Sequence, residues 1–229
     1  MSTGSGPIRF YFDYLSHNAY LGWARIHDLA ALYGRSVESV PVLFAGLLEA
    51  HGQLGPAEVP PKILWMVKNV MRKAAALGVP LHPPAHHPWN PLLSLRVSSL
   101  PMPEETRHRL IDGLFRAAWV SGLHISEPEV VARIAEEAGL EGRVAVEEAR
   151  RPEAKDRLRR QTDDAIADGV FGVPTMTVDG ELFWGFDDFP WLERFVAGTD
   201  PLRPEMIEEW TKPVTPSAER PREKRGRAR

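Results

Sequence analysis

The hydrophobic pattern opens as an alternation and then changes period. Ile8, Phe10, Phe12 and Tyr14 fall on one face of an extended segment, with Arg9, Tyr11 and Asp13 on the other. This predicts a β-strand with at least one buried face. Leu15-Ser16-His17-Asn18 breaks the alternation, and apolar residues then recur at helical intervals as Ala19, Trp23, Ile26 and Ala30. The helix continues over 21–33 and stops at Gly34, a residue suited to the position just past a helix end. A second strand is predicted over 36–43 from Val37, Val40 and Val42. Such a β-α-β opening implies a parallel pair with a right-handed crossover.

A long helical block follows. Pro60 and Pro61 sit where a first helical turn tolerates proline. Ile63, Met66, Val67, Val70, Met71, Ala74 and Leu77 come after them at helical spacing, with Gly78 beyond the end. Pro80, Pro83, Pro84, Pro88 and Pro91 keep 80–91 out of helix and make it a loop. Further helices are predicted at 92–99, 104–122, 127–138, 143–150 and 153–168, with Ser126 and Glu129 forming a capping box ahead of 127–138. Trp65, Trp119 and Trp191 are expected in the core.

Strands return at 175–178 and 181–184, joined by the hairpin dipeptide Asp179-Gly180, and a last amphipathic helix covers 190–196. Pro174 lies directly before the first of these strands, where it cannot pair as a central residue. A cis Val173–Pro174 bond would turn the Val173 backbone outward and leave its N–H and C=O free for a peptide-like ligand.

Composition narrows the chemistry. The 229 residues suffice for one good-sized domain, or one with a large insertion. An apolar content of 43% with 26% charged residues describes a soluble globular chain. No apolar run reaches membrane-span length, and residues 1–6 lack the features of a signal peptide. The expectation is a cytoplasmic protein with no membrane partner. The chain contains no cysteine, which excludes disulfides, thiolate metal sites and a catalytic thiol of its own. Any sulfur chemistry must use a cofactor's sulfur.

Net charge is −3, but 211–229 carries seven Lys/Arg against two Glu. With Pro213, Pro216 and Pro221 this basic end is expected to be disordered and solvated, with no nucleic-acid role. With Pro83, Pro84 and Pro88 among them, His82, His86 and His87 cannot share one helical face, and no acidic partner is near, so no metal site is expected. Neither a G-x-S-x-G elbow nor a Gly-rich phosphate loop is present.

Strand, turn and helix start bring free backbone N–H groups and the positive end of a helix dipole together at Ser16. A hydroxyl there either caps the helix, as the neighbouring Asn18 side chain also could, or donates a hydrogen bond to a bound thiolate or carboxylate. Five segments occur in order along the chain: Phe12-Asp13-Tyr14-Leu15-Ser16, Pro60-Pro61-Lys62, His87-Pro88-Trp89-Asn90-Pro91, Gly172-Val173-Pro174-Thr175 and Trp184-Gly185-Phe186-Asp187. Together they resemble the kappa-class glutathione transferases. Within that class the chain looks most like the 2-hydroxychromene-2-carboxylate isomerase family, grouped with the DsbA-like proteins. The resemblance spans about 8–196. It implies an α/β, thioredoxin-like fold with a large all-helical insertion. The thioredoxin-like domain would comprise 7–45 and 153–198, the insertion 46–152, and a C-terminal extension 199–229.

The same resemblance implies a glutathione-dependent isomerase acting on a small aromatic substrate, as a homodimer. Ser16 would hold the glutathione sulfur as a thiolate. Val173 would pair through its backbone with the cysteinyl part, beside cis-Pro174. Asp187 would take the glutamyl ammonium, with Phe186 offering backbone contacts. Lys62 would lie near the glycine carboxylate or the substrate, and Trp89 and Asn90 would face the substrate pocket. Two positions depart from the family. Gln53 stands where it usually has asparagine, and would make the same amide contact on a longer stem. His17 replaces a proline, and either lines the pocket or points to solvent. A kappa-like transferase or peroxidase, or a non-catalytic binding protein, would share these features.

Overall fold

The structure is a computed structural model that describes residues 6–84 and 86–212. Strand β1 (Ile8–Phe12) lies parallel to β2 (Val37–Pro41), and α1 (His17–Leu32) connects them. On its other side β1 pairs antiparallel with β3 (Thr175–Val178), which turns back into β4 (Glu181–Trp184). The sheet order is β2-β1-β3-β4, with Phe10 opposite Ser39 on one side and Met176 on the other. This is the mixed sheet of a thioredoxin-like fold. Its outer hairpin turns at Asp179 (φ 51°) and Gly180 (φ 89°), two successive positive φ values that match the twist of the flanking strands.

The alternation along β1 is explained by a sheet covered on both faces. Ile8, Phe10 and Phe12 are fully buried beneath α1 and the helical block, with the Phe12 ring 5.6 Å from Phe115 and the Phe10 ring 5.9 Å from Trp23. Tyr11 points the other way into a smaller cluster with Val42, Leu47, Ala165 and Val170. Arg9 shares that face but lies at the rim, paired with Glu38.

Between β2 and β3 come α2 (Phe44–Ala50), α3 (Pro60–Leu77), α4 (Leu92–Ser98), α5 (Glu104–Trp119), α6 (Pro128–Glu137), α7 (Gly142–Arg150) and α8 (Pro152–Ala167). After the sheet follow α9 (Phe189–Val196) and α10 (Pro204–Trp210). The helical block shares its core with the sheet: one continuous cluster runs from Ile8 through Leu114 and Phe115 to Leu192. Among the described residues no helix is long and apolar enough to cross a membrane.

Several details differ from the sequence reading. Helix α6 begins at Pro128 behind Glu127, with no side-chain cap bond. Proline at the first helical position moves the start past Ser126 and dissolves the expected capping box. Trp65 and Trp191 are 60% and 49% exposed, because α3 turns Val70 and Ala74 inward and α9 turns Phe189 and Leu192 inward. Of the three tryptophans expected inside, only Trp119 is buried. Helix α10 was not anticipated, and the basic end from 213 onward lies outside the described residues.

Candidate active site

The turn that carries Ser16 is held from several directions. Asp13 is fully buried where β1 ends, and its carboxylate accepts the N–H groups of Leu15 and Phe44, each at 3.0 Å. Its carbonyl accepts the Ser16 N–H at 3.1 Å. Burial pushes the Asp13 carboxyl up to about 6, against the pull of those two N–H donors. The Trp119 indole donates to the Tyr14 carbonyl at 2.9 Å, the Tyr14 hydroxyl meets Ser98 at 2.6 Å, and His87 Nε2 lies 3.0 Å from the Leu15 carbonyl.

So fixed, Ser16 is the N-cap of α1. Its hydroxyl accepts the Ala19 N–H at 3.1 Å and donates to the Val173 carbonyl at 3.3 Å. A hydroxyl has one proton and two lone pairs, so capping the helix and donating to a ligand are compatible. The N–H groups of His17 and Asn18, in the first turn, have no intrahelical acceptor.

The facing segment is ordered by its own contacts. The Val173–Pro174 peptide is cis. The Thr175 hydroxyl donates to the Gly172 carbonyl at 2.7 Å, and the Gly185 N–H donates to the Pro174 carbonyl at 2.8 Å. A Cβ on Gly172 would stand 2.5 Å from Trp184 Nε1, so the tryptophan ring requires glycine there. The Val173 N–H makes no hydrogen bond among the described residues. Following β4, a 3-10 turn (Phe186–Asp188) presents Asp187 to solvent, with Asp188 anchored on the Trp184 N–H at 2.9 Å. Lys73 of α3 spans the gap, 2.8 Å from Asp187 and 3.4 Å from Asn18.

This combination of sheet, helix-capping serine and facing cis-proline coincides with a match of residues 7–197 to the DSBA-like thioredoxin domain. The chain belongs to this family. A 2-hydroxychromene-2-carboxylate isomerase from Sphingobium xenophagum is 31% identical over 194 residues, covering 82% of this chain and 97% of that protein. Human glutathione S-transferase kappa 1 is 23% identical, covering 92% of this chain and 95% of its own length. Among solved structures, a 2-hydroxychromene-2-carboxylate isomerase superposes with a TM-score of 0.78 at 26% identity, over 90% of this chain and 99% of that one.

The other candidate positions of this DSBA-like chain fall into two groups. His17 and Trp89 join an aromatic cluster beside Ser16, with Trp119 at its centre: its ring lies 5.9 Å from His17, 5.7 Å from His87 and 5.6 Å from Trp89. His17 Nδ1 and Trp89 Nε1 are buried without a partner among the described residues. Burial, with the nearby His87 and Lys73, lowers His17 to about 4, so its ring is neutral at pH 7. Gln53, Lys62 and Asn90 are exposed instead. Among the described residues neither the Gln53 nor the Lys62 side chain bonds to the rest of the site, and Asn90 Oδ1 accepts the N–H of Leu92 at 3.0 Å.

Three contributors escaped the sequence reading: Asp13 as the clasp of the serine turn, His87 as a prop beneath it, and Lys73. Lys73 had a visible signal, a charge set between Val70 and Ala74 on the inward face of an amphipathic helix.

Proposed function

We propose that this DSBA-like protein is a glutathione-dependent isomerase that interconverts 2-hydroxychromene-2-carboxylate and trans-o-hydroxybenzylidenepyruvate. The observation that carries the reading is the Ser16 hydroxyl at an α-helix start, 3.3 Å from the carbonyl of Val173, whose own N–H is unengaged among the described residues. A hydroxyl facing an extended backbone with a free donor suits a cysteinyl ligand, and the chain has no thiol of its own. The identity to the named isomerase supports the reaction, and the likeness to the kappa transferase supports the cofactor.

When bound, glutathione supplies a nucleophilic thiolate that adds reversibly to the substrate. Ser16 turns its proton from the Val173 carbonyl to the sulfur. Lowering a thiol from about 8.5 by two units needs about 2.7 kcal/mol. One hydrogen bond to an anion contributes roughly 1.5–3 kcal/mol, and a helix terminus roughly 0.3–1 kcal/mol. Together they suffice without a general base.

Val173 pairs through its backbone with the cysteinyl amide, while Phe186 and Asp187 receive the glutamyl end. Gln53 and Lys62, with free side chains, reach toward the glycine end or the substrate carboxylate. His17, Trp89 and Asn90 face the aromatic substrate. We place the protein in the cytoplasm as a homodimer. Ile63, Val67 and Met71, exposed in succession along one side of α3, support an association surface. The test is the loss of chromene absorbance with and without glutathione. Turnover that does not depend on glutathione would overturn the proposal.

A further inference from the structure

The loop between α3 and α4 carries Trp89, and its two ends are held differently. At its start the Tyr20 hydroxyl donates to the Pro80 carbonyl at 2.7 Å, and the His82 N–H donates to the Trp119 carbonyl at 2.8 Å. Among the described residues of 83–90, one hydrogen bond reaches another part of the chain: that between His87 Nε2 and the Leu15 carbonyl, at 3.0 Å. Asn90 bonds locally, to the Leu92 N–H. A carbonyl can only accept, so Nε2 bears the hydrogen. The carbonyl before it, that of Tyr14, accepts the Trp119 indole N–H at 2.9 Å. Two successive carbonyls ahead of Ser16 are therefore gripped by ring donors. The same rings form the aromatic wall: His87 stands nearly edge-on to Trp89 at 5.6 Å and lies 5.7 Å from Trp119.

One of these contacts would suffice to pin the loop. Carried together on one side chain, they tie the serine turn to the wall. We propose that His87 is a positioning residue that couples the two halves of the site: its Nε2–H fixes the Leu15 carbonyl, and with it the direction of the Ser16 hydroxyl, while its ring fixes Trp89 for the aromatic substrate. The role rests on the glutathione-dependent isomerase reading and adds to it a residue that touches neither reactant. A thiolate held at Ser16 must meet an electrophile laid against the wall, and a misplacement of about 1 Å there costs on the order of 100-fold in rate. The donor acts through the serine, on the step that needs the thiolate. The ring acts through Trp89, on substrate binding.

The experiment separates donor from ring. His87→Phe keeps a ring and loses the donor, whereas His87→Gln keeps an N–H on a stem of similar reach and loses the ring. Each full-length variant is assayed for chromene turnover at saturating glutathione, and its bound glutathione is titrated by the ultraviolet absorbance of the thiolate. His87→Phe is expected to lower kcat about two- to tenfold, with the bound thiol ionising at higher pH and KM for the chromene unchanged. His87→Gln is expected to raise that KM about two- to tenfold, with kcat and the thiol titration as in the parent. His87→Ala, which loses both contacts and adds no bulk, should show the two effects together. If both single-function variants alter kcat and KM in the same proportion, or neither moves any of the three readouts, the coupling is overturned while the isomerase reading stands. A parent protein without glutathione-dependent turnover overturns that reading itself, and the thiol titration of His87→Phe then still decides the serine half.

Discussion

Replacing Ser16 by alanine separates its two roles. The Oγ accepts the Ala19 N–H at 3.1 Å and donates to Val173 at 3.3 Å. Losing the cap costs about 1 kcal/mol of stability, a modest fall in the urea midpoint. Losing the donor removes roughly 1.5–3 kcal/mol of thiolate stabilisation. At 1.36 kcal/mol per pKa unit this raises the bound thiol by about one to two units. Helix α1 keeps its dipole, so the shift stops short of the value in free solution. The assay is the ultraviolet absorbance of the thiolate, titrated with glutathione bound to each protein. Isomerase turnover at neutral pH is expected to fall about 10- to 100-fold, and to recover partly at alkaline pH as the thiol ionises unaided. Bound glutathione that titrates at the same pH in both proteins would refute the assignment of Ser16, even if the variant were less stable.

Other expectations concern the frame around that serine. His17, lowered to about 4 from 6.5, binds its proton more weakly when folded. Its contribution is present above pH 6.5 and is lost as pH falls toward 4, up to about 3 kcal/mol. His17→Gln should flatten that acid slope in urea midpoints compared at pH 7 and pH 4.5, and an unchanged slope would show that His17 does not cause it. Asp13, raised from 3.8 to about 6, acts with the opposite sign. Its stabilisation is full below pH 4 and declines as pH rises to 6, by up to about 3 kcal/mol. Asp13→Asn should remove that decline while leaving one of the two backbone N–H groups unpaired, at about 1–3 kcal/mol. The same midpoints across pH 4–6 decide it. A methyl on Gly142 would run into the Ala132 carbonyl oxygen where α6 and α7 pack. Gly142→Ala should therefore cost at least about 1–3 kcal/mol in a melting experiment, and wild-type stability would contradict the packing.

The pattern of residues along the chain was enough to place the strands, α1, α3 and the closing hairpin, because their periods and stop signals are local. Ile8, Phe10 and Phe12 alternate because consecutive side chains on a strand leave opposite faces. Gly78 ends α3 with φ 66° where few other residues are at ease. Ser16 and Val173 were legible as candidates for the same reason: each sits at a change of element that sequence marks. Their meeting across 157 positions is a tertiary fact, decided by β1 and β3 lying side by side.

Long-range packing likewise decided what no spacing reveals. Trp65 and Trp119 look alike in sequence, yet only one is covered, because burial depends on which neighbour a helix face meets. Lys73 acquires its meaning from Asp187, 114 positions away. A charge on an inward helix face announces that a partner must exist, but only the fold supplies the carboxylate.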